Sequence, residues 1–297
     1  MRPVVRPMAM GKRLSLAALA CVIACGPPSR QDVGDDDDDG SGGDTDGSVG
    51  DDGCADGTEL IYTLDQFNYR LSQFDPATKT FHDLGSLSCP GSGTPFSMSV
   101  DRSANAWVLY TSGDLFKVAI NAGLQCTKLP WTSPNGLKVF GMGFSTDMVG
   151  GDAESLYIGG GQNQAQTSYT LARVDPTTMA ATVLGTQTAL PEMTGTGSAE
   201  LWGFMPEPTT ARVVQFDKTT GGIAKTFTEP QLGGTMTAYA FAHWGGHFWV
   251  FLQRGTEPNT TVYEIDGTTG VISTTTPATG RTIVGAGVST CAPVVIL

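Results

Sequence analysis

The stretch from Trp244 to Thr276 decides the fold, because it contains His247-Phe-Trp-Val-Phe-Leu-Gln253, a turn, and then Thr261-Val-Tyr-Glu-Ile-Asp-Gly-Thr-Thr-Gly-Val-Ile-Ser-Thr274. Three short runs rich in aromatic and β-branched residues are separated by Gly, Pro, Asn and Asp, a pattern typical of a small antiparallel meander. With spacings of 47, 49, 45 and 47 residues, the first run recurs at Leu60, Trp107, Leu156, Leu201 and Phe248. The chain therefore repeats one supersecondary unit.

A period of this length is in the range of β-propeller blades. We name the recurring run strand B, and a second extended run, strand C, follows it in every unit. An Asp at the first position of a turn accepts backbone hydrogen bonds from the residues that follow it. Four C strands end in such a turn and predict tight hairpins to a strand D, at Asp75, Asp175, Asp217 and Asp266.

An inner strand, which we name strand A, precedes each later B strand. It is rich in small residues, which suit the crowded axis of a propeller. We predict these inner strands at 96–100, 139–144, 194–197, 238–242 and 283–288. The last of them has no B, C or D strand after it, whereas the first unit lacks an A strand, so pairing the two ends completes one blade and protects the edge. The sequence predicts an all-β, five-bladed propeller over residues 58–297. A double β-sandwich is the alternative, which the regular period disfavours.

The segment Ser99-Val-Asp-Arg-Ser-Ala-Asn-Ala-Trp-Val108 resembles the inner hairpin of NHL- and YVTN-type propeller repeats. Basic residues at positions 2, 6, 12 and 13 precede an apolar run from Leu14 to Ala24, which is too short to span a bilayer but suits a signal peptide. This run ends in Val22-Ile23-Ala24-Cys25-Gly26, which resembles the bacterial lipobox.

The lipobox resemblance implies that residues 1–24 are a signal peptide and that Cys25 is lipidated, with palmitate-type chains, after cleavage. Ordinary secretion with an unmodified Cys25 is the alternative. Gly26 stands where some lipoproteins carry an Asp that retains them in the inner membrane, so the outer membrane and its surface are the expected location. The whole arrangement resembles that of bacterial surface lipoproteins: a lipobox, an acidic tether and a propeller.

Residues 25–57 are expected to form the tether. Eleven Asp and no Lys or Arg lie between Gln31 and Gly57, and such a segment has too little apolar surface to offset its ordering entropy, so disorder is predicted. The formal net charge of the chain is -12, and no basic patch is evident that could neutralise phosphates. Nucleic acid is therefore not an expected partner, and we expect a monomer.

Four cysteines, Cys54, Cys89, Cys126 and Cys291, remain after the lipobox, and an even number in an exported chain predicts two disulfides. Three connectivities are open. Ring closure favours the pair Cys54–Cys291, because Cys54 precedes the first B strand and Cys291 ends the strand expected beside it. Cys89 and Cys126, near the D strands of neighbouring blades, would then form the second bond. Their spacing matches no zinc motif.

The tryptophans divide into two groups. Trp107, Trp202 and Trp249 recur in B strands, and their periodic placement predicts packing between blades. Trp131 and Trp244 lie outside that series and are the candidate ligand contacts. Aromatic rings in exposed loops provide large apolar contact area with a polar edge.

No catalytic motif is apparent. His243 and His247 occur in a strand–turn–strand pattern and lack a recognisable third metal ligand. Asp101 and Asp147, at inner hairpins, are the candidates for an acidic metal site near the axis, and hairpin stabilisation is the competing interpretation for Asp101 and the adjacent Arg102. No cofactor is expected.

Three functions are open. The anchor, the tether and the lack of a catalytic motif favour a non-enzymatic, envelope-anchored propeller that binds a protein or a glycan. A calcium-dependent lactonase- or lyase-like enzyme would need acidic and Asn ligands at the axial funnel, and a stoichiometric metal would identify it. A structural subunit of an envelope assembly would co-purify with a fixed partner. Fold alone does not choose among them.

Overall fold

The computed structural model describes residues 53–278 and 280–296. Within them the chain forms twenty strands arranged as five four-stranded antiparallel sheets, so the predicted five-bladed propeller is confirmed. Blade 1 consists of β20 (Ile283–Gly287), β1 (Ile61–Asp65), β2 (Arg70–Asp75) and β3 (Thr80–Ser86). Blade 2 consists of β4 (Pro95–Val100), β5 (Asn105–Tyr110), β6 (Leu115–Ala119) and β7 (Gln125–Lys128).

The other three blades follow in chain order, each read from its inner to its outer strand. Blade 3 consists of β8 (Val139–Thr146), β9 (Glu154–Gly161), β10 (Tyr169–Val174) and β11 (Ala181–Gln187). Blade 4 consists of β12 (Glu192–Gly195), β13 (Leu201–Met205), β14 (Ala211–Phe216) and β15 (Ile223–Glu229). Blade 5 consists of β16 (Met236–Trp244), β17 (His247–Arg254), β18 (Thr260–Asp266) and β19 (Ile272–Ala278).

Short 3₁₀ turns occupy Ile120–Ala122, Pro134–Gly136 and Pro230–Leu232. No helix in the described part of the chain is long and apolar enough to cross a membrane. The predicted signal peptide, the predicted lipidation site Cys25 and the predicted tether up to residue 52 lie outside the described residues.

The ring closes as the sequence predicts, because strand β20 from the C-terminal end pairs with β1. Tyr62 lies opposite Gly287 and Thr63 opposite Ala286 in this antiparallel ladder. The disulfide Cys54–Cys291 joins the segments that flank the same two strands, and Cys89–Cys126 forms the second bond. Both predicted pairings are therefore present.

One inner strand begins and ends two residues earlier than predicted. The sequence pattern placed the A strand of blade 4 at 194–197, whereas β12 runs from Glu192 to Gly195. Thr196 lies in the hairpin, where its hydroxyl group accepts hydrogen bonds from the backbone N–H groups of Ser198 and Glu200. The Gly-rich segment is thus partly a turn, and a carboxylic acid, Glu192, begins the strand.

The Asp residues at the C–D turns act as expected. Oδ1 of Asp175 accepts hydrogen bonds from the backbone N–H groups of Thr177 (2.8 Å) and Thr178 (2.9 Å). These two donors, the N–H of Thr178 above all, lower the pKa of the Asp175 carboxyl group. The same two bonds recur at Asp75, Asp217 and Asp266.

Small residues let the inner strands approach each other closely at the axis. A Cβ atom added to Gly141 of β8 would lie 2.1 Å from the carbonyl oxygen of Pro191, and one added to Gly195 of β12 would lie 2.1 Å from that of Phe144. Backbone atoms cannot give way at these distances. Glycine is therefore required where blades 3 and 4 meet.

Aromatic side chains fill the interfaces between adjacent blades. Trp107 of blade 2 packs edge-on against Phe144 of blade 3, with ring centroids 5.3 Å apart. Trp249 of blade 5 packs in the same way against Phe74 of blade 1, also at 5.3 Å, and Trp202 of blade 4 lies 4.7 Å from Phe248 of blade 5. The predicted packing role of the three periodic tryptophans is confirmed.

The propeller has two faces. The A–B and C–D hairpins lie on one side, which we call the AB face, and the B–C and D–A connections lie on the other, the BC face. Cys54 and its partner Cys291 lie on the AB face, where the backbone N–H of Ala55 donates a hydrogen bond of 2.9 Å to the carbonyl oxygen of Arg102. The described part of the chain thus begins at the AB face.

Candidate functional site

A depression of about 450 Å³ lies on the BC face, above blades 3, 4 and 5. Four connections surround it: the B–C loops of blades 3 and 4 and the D–A connections that follow β11 and β15. Its volume is in the range of small-molecule sites. Its lining includes the side-chain amides of Gln164 and Gln166, the rings of Tyr169 and Tyr239 and the carboxylate of Glu207. Pro206, Pro208 and Met236 also line it.

Tyr169 holds the B–C loop of blade 3 in place. Its hydroxyl group donates a hydrogen bond of 2.5 Å to the carbonyl oxygen of Gln164 and accepts one of 3.1 Å from the backbone N–H of Gln166. No hydrogen bond within the described residues uses the amide group of Gln164, and this residue is exposed. The loop is therefore rigid at its base and presents a free amide to the depression.

The B–C loop of blade 4 is held by an ion pair. Arg212 donates two parallel hydrogen bonds to the carboxylate of Glu207, at 3.0 Å from Nε and 2.7 Å from Nη2. Such bidentate pairs fix geometry as well as charge. Glu207 is thus held at the rim of the depression as a hydrogen-bond acceptor.

A second, narrower cavity of about 70 Å³ lies nearer the axis and shares Gln164, Met236 and Tyr239 with the depression. Its lining includes Glu192, which is 3% exposed. Burial raises the pKa of the Glu192 carboxyl group well above its usual value, against the smaller lowering effect of a hydrogen bond from Ser97. Burial thus favours the neutral, protonated form of this carboxyl group.

Tyr239 lines both the depression and the axial cavity. Its hydroxyl group donates a hydrogen bond of 3.1 Å to the carbonyl oxygen of Leu190. Burial, with a smaller contribution from the nearby Glu192, raises the pKa of Tyr239 well above its usual value. This hydrogen-bonded side chain is part of the lining that the depression and the axial cavity share.

The acidic candidates from the sequence lie on the AB face and do not line either cavity. Asp101 accepts hydrogen bonds from the backbone N–H of Asn105 (2.9 Å) and from Nε1 of Trp107 (2.9 Å), and Nζ of Lys117 is 3.4 Å away. Asp147 accepts one from the Ser155 hydroxyl group at 2.7 Å. Asp101 thus stabilises its hairpin. Its carboxylate oxygens face the N–H groups of Asn105 and Trp107 and the ammonium group of Lys117, which would repel a metal cation.

The remaining candidates also lie away from the depression. Trp131 is 8% exposed and packs against Phe140, with ring centroids 5.5 Å apart. Nε1 of Trp244 donates a hydrogen bond of 2.7 Å to the carbonyl oxygen of Glu59 on the AB face. Within residues 53–278 and 280–296, no group of three or more His, Cys, Asp and Glu is arranged to hold a metal ion.

The two histidines of the β16–β17 hairpin do not form a site together with these residues. His243 is buried, and its backbone N–H donates a hydrogen bond of 3.2 Å to the Thr194 hydroxyl group. Burial first, and the nearby His247 second, lower the pKa of His243 to about 4. His243 is therefore a neutral core residue at physiological pH.

Sequence reasoning missed Gln164, Tyr239 and Glu192. Gln164 and Tyr239 belong to no common sequence motif, because one lies in a loop of blade 3 and the other in a strand of blade 5. A signal existed for Glu192, since a carboxylic acid follows Leu190-Pro191 at the start of an otherwise small and apolar inner strand.

No protein-family model matches this chain, and no curated protein matches it. Solved structures match over most of the propeller. A protein of unknown function from Bacteroides caccae is 9% identical, over 77% of this chain and 97% of that one, with a TM-score of 0.44. Luciferin-regenerating enzyme is 11% identical, over 77% and 75%, with a TM-score of 0.47. The calcium-binding protein regucalcin from Agrobacterium tumefaciens is 13% identical, over 77% and 74%, with a TM-score of 0.45. Likenesses of this size do not bear on activity.

Proposed function

We propose that this chain is a lipid-anchored protein of the cell envelope whose propeller binds a glycan in the depression on the BC face. The observation that carries the proposal is the composition of the depression, in which amide groups and a carboxylate lie beside tyrosine and proline rings. Planar amide and carboxylate groups both match sugar hydroxyl groups, which donate and accept hydrogen bonds. Aromatic rings pack against the apolar C–H faces of a sugar.

A concave site favours a glycan over a folded protein. Specific protein interfaces bury about 800 Å² on each partner, whereas a depression of about 450 Å³ has the size of a small-molecule site and fits a ligand of roughly one or two sugar rings. The lining is also mostly uncharged, apart from Glu207, which is already paired with Arg212. A weakly charged, hydrogen-bonding lining suits a neutral polyhydroxylated ligand.

The anchor belongs to the same proposal and rests on the sequence of residues 1–57. Cys54, the first cysteine of the described residues, lies on the AB face, whereas the depression lies on the BC face.

Binding is tested with the full-length protein against glucose, mannose, N-acetylglucosamine, chitobiose, cellobiose and maltose, by isothermal titration calorimetry. Thr188 is exposed and lines the depression, and none of its side-chain atoms is used in a hydrogen bond within the described residues. Thr188→Trp should fill the depression and weaken binding at least tenfold, whereas Thr127→Trp, on the exposed outer strand β7, should have no effect. Absence of binding to every sugar, or equal binding by the two variants, would overturn the proposal.

The anchor is tested separately in a Gram-negative host. Cys25→Ser should move the full-length protein from the membrane fraction to the soluble fraction and abolish incorporation of labelled palmitate. Cys21→Ser, four residues earlier, is the matched control and should leave both unchanged. A Cys25→Ser protein that remains membrane-bound would contradict the lipid anchor.

A further inference from the structure

The carboxyl group of Glu192 is buried at the axis of the propeller with one hydrogen-bonding partner. The Ser97 hydroxyl group donates to Oε2 at 2.9 Å, and no other side chain in the described part of the chain hydrogen-bonds to this carboxyl group. Ser97 belongs to blade 2 and Glu192 to blade 4, so the bond links two blades that are not neighbours. The carboxyl group retains hydrogen-bonding capacity that the protein does not use.

The axial cavity lies beside the carboxyl group of Glu192, whose hydrogen-bonding capacity is not fully used. The axial cavity of about 70 Å³ is lined by Glu192, Gln66, Gln164, Thr237 and Tyr239 among its polar residues. One water needs roughly 10–15 Å³ of such volume, so the cavity has room for several waters or for a ligand substituent of a few atoms. Because Gln164 and Tyr239 also line the depression, a ligand in the depression lies at the entrance of the axial cavity.

The charges around the cavity decide which substituent fits. Of the described residues that line it, none is Lys, Arg or His, and Glu192 is the only carboxylic acid. An anionic group would find no cation there, and a cationic group would have to lose its own hydration and ionise a buried acid. A neutral carboxylic acid, in contrast, donates one hydrogen bond and accepts others without any charge being desolvated.

We propose that the axial cavity is a subsite in which Glu192 donates a hydrogen bond to an uncharged oxygen of the bound ligand, a hydroxyl group or an amide carbonyl group. The amide groups of Gln66 and Gln164 complete the subsite. This inference rests on the proposed glycan-binding function and specifies which part of the sugar enters the axis. It predicts that the site prefers a neutral sugar to related sugars that carry a charge.

The charge discrimination is tested with three probes that share a pyranose ring: N-acetylglucosamine, which is neutral, glucosamine, which is cationic, and glucuronic acid, which is anionic. The full-length protein should bind N-acetylglucosamine at least tenfold more tightly than either charged probe. Equal or tighter binding of glucosamine would overturn the proposal, because it would show that Glu192 acts as a buried anion.

Variants of Glu192 separate the hydrogen bond from the charge. Glu192→Leu removes the donor and should weaken N-acetylglucosamine binding by about ten- to a hundredfold, the usual cost of an unpaired buried polar group. Glu192→Gln keeps a donor and an acceptor and should weaken it much less. A loss for the Gln variant as large as for the Leu variant would contradict an uncharged subsite.

A second variant keeps the test valid if Glu192→Leu does not fold. Gln66 is partly exposed, and no hydrogen bond of the described residues uses its side-chain amide, so Gln66→Trp narrows the cavity and leaves the buried carboxyl group intact. It should weaken N-acetylglucosamine binding at least tenfold. Binding that is lost in Thr188→Trp but unchanged in the Glu192 and Gln66 variants would overturn the axial subsite and leave the glycan site in the depression standing.

Discussion

The disulfide between Cys54 and Cys291 joins two residues 237 positions apart and ties together the segments that flank β1 and β20, the two strands whose pairing closes the ring. The second bond, Cys89–Cys126, encloses a separation of only 37 residues. Because a cross-link acts largely by restricting the unfolded chain, the two bonds should differ in their effect on stability.

Removal of the ring-closing disulfide should therefore be the more damaging change. The loop-entropy relation gives about 5.5 kcal/mol for Cys54–Cys291 and about 4 kcal/mol for Cys89–Cys126 as upper values. Urea unfolding of the double variants Cys54→Ser/Cys291→Ser and Cys89→Ser/Cys126→Ser checks the order. A smaller loss for the first pair would show that the ends of the chain remain paired in the unfolded ensemble or contribute little to closure.

Gly141→Ala should destabilise the propeller by roughly 3 kcal/mol or more, because its Cβ atom would meet the backbone of blade 4. The control is Gly222→Ala, an exposed turn position where the nearest atom is the flexible Thr220 hydroxyl oxygen at 3.3 Å. The measurement is the free energy of unfolding in urea. Equal effects of the two substitutions would contradict the close approach of β8 and β12.

Asp101→Ala should cost about 2–4 kcal/mol, since it leaves the indole N–H of Trp107 and the backbone N–H of Asn105 without their acceptor. Calcium at 1 mM should leave the melting temperature of the unmodified protein unchanged, because these N–H groups and Lys117 already surround the carboxylate. A calcium-dependent rise that disappears in Asp101→Ala would instead identify Asp101 as a metal ligand and favour the enzyme hypothesis.

The contribution of Glu154, on the AB face, to the stability of the protein should fall as the pH rises from about 4.5 to about 7. Burial raises the pKa of Glu154 from 4.5 to about 7, although its oxygens accept hydrogen bonds from Arg102 and Thr290. A raised pKa means that the folded state binds the proton more tightly than the unfolded state, so this stabilisation is complete below pH 4.5 and is lost by pH 7.

Glu154→Gln should remove that part of the pH dependence. Its free energy of unfolding, relative to the unmodified protein, should increase between pH 4.5 and 7 by up to roughly 3 kcal/mol, at about 1.4 kcal/mol per pKa unit. Glu59→Gln, the same change at an exposed position, is the control and should run parallel to the unmodified protein. A Glu154→Gln curve parallel to both would mean that Glu154 is ionised in the folded state.

The repeats, the five-bladed ring, its closure, the Asp turns and both disulfide pairings followed from the sequence alone. Each depends on signals carried by neighbouring residues or on the order of the strands. Aromatic B strands recur at Trp107, Trp202 and Trp249 because each has to fill the same gap between blades. The first unit lacks an A strand, and the last A strand has no B, C or D strand after it. Pairing β20 with β1 is therefore the arrangement that leaves neither strand with an exposed edge.

Only the tertiary structure decided which residues line the depression and the axial cavity and which acids are buried. The depression combines Gln164, Glu207 and Tyr239, which share no motif because they come from different blades. The pKa of Glu192 depends on its removal from water at the axis and on Ser97, 95 residues away. Desolvation and contacts between distant residues are properties of the folded chain, so the sequence around Leu190-Pro191-Glu192 could show an acid on an inner strand but not its protonation state or the cavity beside it.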